Sequence, residues 1–171
     1  MIVALTGFMA SGKTTFGRAA AARLGWDFID LDQEIGKTHG SPAELFDSRG
    51  EACFRAVETE VLSEVLSSAP GDTVLALGGG AILREENLQM LREAGVPIVW
   101  LDTDFDIILS ELDNSDRPTV RGKSVAEVRA MYEKRRPLYA DAADFVFPVR
   151  TTDYARVIED LAGTINSFKK I

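Results

Sequence analysis

The sequence predicts an α/β protein with three layers, in which a parallel β-sheet is covered by helices on both faces. Short apolar runs recur along the chain, as is typical of strands that are buried on both faces. Segments with apolar residues at helical spacing separate these runs. A glycine-rich turn joins the first strand to the first helix, and in such folds ligands bind at the carboxyl ends of the strands.

Local patterns predict each element in chain order. Ile2–Thr6 (IVALT) is an unbroken apolar run predicted as a strand, and Lys13–Leu24 is predicted as a helix that Gly25 closes. The middle of the chain is mostly helical: Ser41-Pro42 resembles a helix start, and Glu51–Ser67 has near-helical apolar spacing. The other predicted strands are Phe28–Asp30, Thr73–Leu77, Pro97–Leu101 and Phe145–Val149, and the other predicted helices are Arg84–Ala94, Phe105–Leu112, Val125–Tyr139 and Tyr154–Phe168.

Composition limits the classes of function. A length of 171 residues with 46% hydrophobic content predicts a single domain spanning residues 1–171. A net charge of -8 argues against nucleic acid as a partner, and the absence of an apolar run of about 20 residues argues against a membrane-spanning segment. One cysteine and one histidine leave no pair for a disulfide or a histidine-based zinc site. We expect a cytoplasmic monomer.

The turn after the first strand matches a nucleotide-binding pattern. GFMASGKT, residues 7–14, fits G-x-x-x-x-G-K-[ST] between a hydrophobic strand and a helix. Its glycines allow successive N–H groups to point inward, and the helix N-terminus favours an anion. Lys13 is expected to reach the β- and γ-phosphates of a nucleoside triphosphate, and the Thr14 hydroxyl to ligate Mg²⁺. The predicted nucleotide-binding residues of the turn are Gly7, Ala10, Ser11, Gly12, Lys13, Thr14 and Thr15.

Two further segments follow predicted strands and point to the same cleft. Asp30 and Asp32, in FIDLD, are candidates for holding Mg²⁺ and for accepting a proton, although a helix cap is the alternative for such aspartates. Gly78, Gly79 and Gly80, in LALGGGA, favour close approach of the backbone to a ligand. The alternative is a strand end crowded against a helix, where only small residues fit.

Arginines occur in three motifs. GEACFR contains Arg55 on one helical face with Glu58, DRP contains Arg117, and KRRPLY contains Arg135 and Arg136. The planar guanidinium suits carboxylates and phosphoryl oxygens. Composition alone does not distinguish these arginines from others in the chain.

In order and spacing, GFMASGKTT, FIDLD, GEACFR, LALGGGA, DRP and KRRPLY resemble the shikimate kinase family across essentially the whole chain. The resemblance implies a P-loop fold of the nucleoside monophosphate kinase type, with a five-stranded parallel sheet in the order 2-3-1-4-5. It also implies a substrate-binding helical region at 32–68 and a lid at 113–124. The implied reaction is ATP-dependent, Mg²⁺-assisted phosphorylation of the 3-hydroxyl of shikimate, a step toward chorismate and aromatic amino acids.

The resemblance also implies roles for individual residues. Catalysis would rest on Lys13, Asp32 and Arg117, with Arg117 meeting the transferring phosphoryl group and the nucleotide. Thr14 and Asp30 would lie at the magnesium ion. The implied shikimate-binding residues are Asp32, Arg55, Glu58, Gly78, Gly79, Gly80 and Arg135, with the arginines on the carboxylate and Glu58 orienting Arg55.

The sequence departs from the family pattern on the lid and the nucleotide-base side. Thr119 and Val120 follow the lid Arg-Pro where the family usually has two leucines, and Ser110 stands where it commonly has a basic residue that stacks on adenine. Two alternatives remain: a kinase of another small hydroxy acid such as gluconate, and a non-catalytic nucleotide-dependent switch domain.

Overall fold

The computed structural model describes residues 1–112 and 119–170 of the chain. The strands are β1 (Ile2–Thr6), β2 (Asp27–Asp30), β3 (Thr73–Ala76), β4 (Ile98–Thr103) and β5 (Phe145–Val149). The helices are α1 (Lys13–Leu24), α2 (Leu31–His39), α3 (Pro42–Ser68), α4 (Glu85–Glu93), α5 (Phe105–Leu112), α6 (Val125–Ala142) and α7 (Tyr154–Ser167), with 3₁₀ turns at Ala81–Leu83 and Phe168–Lys170.

The five strands form one parallel sheet in the order β2-β3-β1-β4-β5, which confirms the predicted fold class and strand order. In the β1 and β3 pair, Leu5 lies opposite Ala76, so the two strands end at nearly the same level. The chain therefore leaves both central strands at one edge of the sheet, where the two glycine-rich segments begin.

Helices cover both faces of the sheet, and successive residues of β1 show this directly. Val3 and Leu5 are buried in an apolar cluster with α1 and α7, whereas Ala4 is buried in a second cluster with α2 to α6. The side chains of a strand alternate between its two faces, so these clusters lie on opposite sides of the sheet. The result is the predicted arrangement of three layers.

Short polar side chains cap the starts of α2, α3, α6 and α7. The Ser41 hydroxyl accepts from the Glu44 N–H while the Glu44 carboxylate accepts from the Ser41 N–H, and Pro42 follows in the first turn. Within α3, Gly50 has non-helical dihedral angles (φ 82°, ψ 168°), so the helix is interrupted there. Helix α2 was not predicted as a separate element, although the substrate-binding helical region that the family resemblance implies, residues 32–68, falls on α2 and α3.

Of the predicted lid, residues 113–118 lie outside the described part of the chain. Val125–Ala142 follows it as α6 and continues three residues beyond the predicted end at Tyr139, with Pro137 inside the helix. None of the helices described is both long and apolar enough to cross a membrane.

Candidate active site

Two cavities adjoin at the carboxyl edge of the sheet. The phosphate-loop cavity, of about 540 Å³, is lined by Ala10, Ser11, Gly12, Lys13, Thr14, Thr15, Phe16, Asp30, Asp32, Leu77, Gly79, Ile107, Glu111 and Tyr154. The arginine cavity, of about 300 Å³, is lined by Met9, Asp32, Ser41, Pro42, Ala43, Phe46, Phe54, Arg55, Glu58, Gly78, Gly79, Gly80, Thr119 and Arg135. Asp32 and Gly79 line both cavities.

The loop between β1 and α1 has the backbone shape that its glycines allow. Gly12 is left-handed (φ 94°), and a Cβ there would lie 2.3 Å from the Phe16 ring, so both conformation and space require glycine. Gly7 is buried behind the loop, where a Cβ would lie 2.9 Å from the Leu101 carbonyl oxygen. Gly7 is thus the one predicted nucleotide-binding residue in the described part of the chain that does not line the cavity.

The start of α1 is arranged to receive an anion. Gly12 is the N-cap, and no side chain in the described ranges caps the helix. The first N–H groups of α1 are therefore available to a ligand at the positive end of the helix dipole. Lys13 Nζ donates to the carbonyl oxygens of Gly7 and Phe8, both at 2.9 Å, which places the ammonium group against the loop.

Asp30 connects this loop to the acidic segment after β2. Its Oδ2 accepts from the Thr14 hydroxyl at 2.6 Å, and its Oδ1 accepts from the N–H groups of Asp32 and Gln33. The helix-cap alternative for this aspartate is thus observed together with the contact to the loop. A hydroxyl and a carboxylate are ligands that suit Mg²⁺, which takes one or two protein oxygens when phosphates supply others.

In the arginine cavity, α3 contributes an ion pair. Arg55 Nη1 donates to Glu58 Oε1 at 2.8 Å, and the two residues lie on one helical face at a spacing of three. Glu58 is fully buried, and its Oε2 has no hydrogen-bond partner among the residues described. Burial raises the pKa of the Glu58 carboxyl, the Arg55 guanidinium opposes this, and the Asp32 carboxylate adds to it. Glu58 thus fixes Arg55 at the cost of a poorly solvated carboxylate.

The glycine segment after β3 is crowded by these charged groups. A Cβ on Gly78 would lie 2.6 Å from Glu58 Oε2, and one on Gly80 would lie 2.4 Å from Arg55 Nη2. A Cβ on Gly79 would approach the Met9 nitrogen of the phosphate loop to 3.1 Å. The alternative of crowding against a helix is therefore observed at Gly78 and Gly80, whereas Gly79 packs against the backbone of the phosphate loop, and all three glycines line the arginine cavity.

Adjacent arginines of α6 take different environments. Arg135 lines the arginine cavity with its guanidinium carbon 5.7 Å from the centre of the Phe8 ring. Arg136 turns to the buried Asp102, to which its Nη2 donates at 3.1 and 3.2 Å, and Arg150 pairs with the same carboxylate. Of this pair, therefore, only Arg135 lines the cavity that contains Arg55.

Several cavity residues were not identified from the sequence. Tyr154 packs edge-on against Phe16 with ring centres 5.2 Å apart, and its hydroxyl donates to Glu111 at 3.2 Å. Phe46 and Phe54 form an aromatic wall in the arginine cavity. These residues stand in helices where aromatic side chains usually indicate packing, so no local pattern marks them as site residues.

The predicted residue Arg117 lies outside the described residues. Within residues 1–112 and 119–170, no group of three or more histidine, cysteine, aspartate or glutamate side chains could hold a metal ion. A metal held mainly by nucleotide phosphates does not need such a group.

The sheet order and the glycine-rich loop together define the class of P-loop phosphotransferases with a nucleoside monophosphate kinase fold. The family model described as shikimate kinase matches residues 9–166. Shikimate kinase of Nitratidesulfovibrio vulgaris is 41% identical over 170 residues, covering 95% of this chain and 94% of the relative. That of Ruegeria pomeroyi is 38% identical, covering 99% and 87%. The chain belongs to the shikimate kinase family, as its motifs predicted.

Solved structures agree with this assignment. Shikimate kinase from Acinetobacter baumannii in complex with shikimate aligns with a TM-score of 0.87 at 32% identity, covering 98% of this chain and 94% of that one. Shikimate kinase from Bacteroides thetaiotaomicron aligns with a TM-score of 0.85 at 30% identity, covering 100% and 99%. Sequence relatives and solved structures therefore agree on both the fold and the family.

The Glu58 carboxyl generates a prediction for stability. Because its pKa is raised on folding from an ordinary 4.5, the folded state holds more protons than the unfolded chain just above that pH. The free energy of unfolding should thus fall as the pH rises from 4.5 to the raised pKa. Glu58→Gln has no carboxyl to titrate at this position. The difference in unfolding free energy, variant minus wild type, should therefore increase as the pH rises over this range.

Urea denaturation of both proteins at a series of pH values from about 4.5 to 8 measures this difference. The exposed Glu60 on the same helix provides the matched control, as Glu60→Gln. A stability difference between Glu58→Gln and wild type that stays constant across the series would contradict the assignment.

Proposed function

We propose that this chain transfers the γ-phosphoryl group of ATP to the 3-hydroxyl of shikimate. The observation that carries the proposal is the junction of the two cavities, where Asp32 and Gly79 separate a phosphate-binding loop from a cavity containing Arg55 and Arg135. A donor triphosphate and an acceptor carboxylate would thus bind side by side, with a carboxylate between them.

The phosphate-loop cavity would hold the nucleotide. Backbone N–H groups at the start of α1 and the Lys13 ammonium would bind the phosphates. To do so, Lys13 would give up its hydrogen bonds to the Gly7 and Phe8 carbonyls and donate to phosphate oxygens instead. The rings of Tyr154 and Phe16 also line this cavity and offer an apolar surface to the base. The family commonly has a basic residue that stacks on adenine, and this chain has Ser110 at that position. The two aromatic rings would then contact the base instead.

The arginine cavity would hold shikimate. Arg55 and Arg135 would bind the carboxylate through paired, charge-assisted hydrogen bonds, and Glu58 would keep Arg55 in place. Phe46 and Phe54 would cover the carbon ring of the acceptor. Asp32 would accept hydrogen bonds from ring hydroxyls, which places the acceptor oxygen toward the phosphate loop.

In the reaction, the acceptor oxygen forms a bond to the γ-phosphorus while the bond between that phosphorus and the β–γ bridging oxygen breaks. Asp32 would take the hydroxyl proton, and ADP would leave with the bridging oxygen. Alignment and positive charge dominate such a transfer, because the transition state is loose and its charge lies on the phosphoryl oxygens. Lys13 would supply that charge, with Arg117 from the lid.

Thr14 and Asp30 are the residues that would hold Mg²⁺, since their oxygens lie 2.6 Å apart at the mouth of the loop. When bound, the ion would neutralise charge on the phosphates.

A coupled ADP-release assay tests the proposal. The purified protein would be given ATP and Mg²⁺ with shikimate, with gluconate or with no acceptor. Turnover that depends on shikimate is expected. Turnover on gluconate alone would assign the chain to the alternative kinase activity, and no turnover under any condition would favour a switch domain.

Lys13 provides a prediction for the donor side. Lys13→Met should lower kcat by about 10²- to 10³-fold, because it removes a charged donor directed at the transferring group. The methionine keeps most of the buried stem but leaves the Gly7 and Phe8 carbonyls without their ammonium donor, so the melting temperature should fall by about a few degrees while the protein stays folded. Steady-state kinetics and thermal denaturation measure the two quantities, and a kcat near the wild-type value would disprove the assigned role.

The adjacent arginines of α6 provide a prediction for the acceptor side. Arg135→Ala should raise the KM for shikimate by about one to two orders of magnitude, the usual cost of losing a hydrogen bond to a charged group, and leave the KM for ATP nearly unchanged. Arg136→Ala is the matched control because its side chain faces Asp102. Equal effects of the two substitutions on the KM for shikimate would show that the cavity has been assigned to the wrong ligand.

A further inference from the structure

A buried tyrosine reaches the junction of the two cavities without lining either. Tyr139 lies on α6 with none of its surface exposed, and its ring stacks on Trp100 with centres 6.0 Å apart. Its hydroxyl donates to the Gly79 carbonyl oxygen at 2.5 Å. The ring is thus part of the core, whereas the hydroxyl contacts the backbone at the shared wall of the cavities.

The same hydroxyl faces the cationic groups of the arginine cavity. Burial raises the pKa of Tyr139 to about 12, and the Arg135 guanidinium opposes that rise through charge and a hydrogen bond, with a smaller contribution from Arg55. The phenol therefore stays protonated and donates to Gly79, while its oxygen can accept from Arg135.

The Gly79 backbone lies between the phosphate loop and the arginine cavity, so a contact that fixes it affects the wall that both cavities share. Its backbone packs against the phosphate loop, where a Cβ would lie 3.1 Å from the Met9 nitrogen and 3.6 Å from the Gly7 oxygen. On its other side it borders the cavity that contains Arg135. A glycine has no side chain to hold it in place, so a hydrogen bond to its carbonyl contributes directly to its position.

We propose that the Tyr139 hydroxyl is a positioning group for the acceptor site, holding the Gly79 backbone and the Arg135 guanidinium at a fixed separation that fits a small cyclic carboxylate. This inference rests on the proposed function, because the carboxylate is that of shikimate. Tyr139 acts through the other two residues and does not itself contact the ligand.

The test is Tyr139→Phe, which removes one oxygen and retains the stacked ring. The Kd for shikimate, measured by isothermal titration calorimetry, and the KM for shikimate should each rise about tenfold, since a buried carbonyl loses its donor and Arg135 loses a contact. The KM for ATP should stay within about twofold of wild type, because the N–H groups and the lysine of the loop are unchanged.

Tyr132 offers a matched control on the same helix. It is also buried, and its hydroxyl donates to a backbone carbonyl, that of Thr103, at 2.9 Å. Tyr132→Phe should lower the melting temperature as Tyr139→Phe does but leave shikimate affinity unchanged. Equal shikimate affinities in the two variants would overturn the inference and identify the Tyr139 hydroxyl as a stabilising group only.

A double-mutant cycle separates positioning from a general loosening of the site. In the Arg135→Ala background, Tyr139→Phe should weaken shikimate binding much less than in the wild type, because the group that it positions is gone. Full additivity of the two effects on the Kd would contradict the proposal. Wild-type protein that binds no shikimate would overturn the proposed function and this inference together, whereas binding with additive effects overturns the inference alone.

If Tyr139→Phe does not fold, 3,5-difluorotyrosine at position 139 retains the ring and hydroxyl but lowers the pKa of the phenol. Shikimate affinity should then decline at a lower pH than in the wild type, because a phenolate cannot donate to Gly79. Superimposable pH profiles of the Kd would overturn the proposal.

Discussion

The parallel pairing of β1 with β3 is the constraint on which the site depends. With Leu5 opposite Ala76, the two strands end level, and the chain leaves them as two glycine-rich segments that lie in contact. A Cβ on Gly79 would lie only 3.1 Å from the Met9 nitrogen, so a larger residue there would force the phosphate loop to shift by a few tenths of an ångström. A slip of one residue in this register would turn the buried side chains of β1 to the wrong layers and separate the loop from the acidic and cationic groups around it.

Opposite charges lie close together in the arginine cavity, where they are largely shielded from water. Glu58 is fully buried beside Arg55, and Asp32 lies close by, so two carboxylates share the surroundings of one guanidinium. Removing water from these groups strengthens the pull between opposite charges and the repulsion between like ones. The helix that carries Arg55 therefore holds it in a defined direction before any ligand arrives, which lowers the entropy lost when an acid binds.

Much of the fold was predictable because local patterns agree with the tertiary structure. β1, α1 and β5 begin and end at the predicted residues, since each strand is an apolar run and Gly12 and Gly25 flank the helix. Helix α2 was missed because only Leu31 and Ile35 are buried in it, too few to show a period. The contacts of Tyr139 and Tyr154 could not be foreseen, because each joins a helix to residues far away in the chain, Gly79 and Trp100 for Tyr139 and Phe16 for Tyr154. The different environments of the adjacent residues Arg135 and Arg136 follow from helix geometry, because successive side chains of an α-helix point about 100° apart.

Asp30 makes two separate structural contacts with the two oxygens of one short side chain. One oxygen begins α2 by accepting from its first N–H groups, and the other accepts from Thr14 on a different layer of the molecule. Glutamate could retain the charge but is a poor helix cap, while asparagine could cap without the charge. Truncation to alanine would disturb the start of α2 as well as the loop, so its effect on catalysis would mix a folding defect with a chemical one. Only the asparagine exchange separates the two.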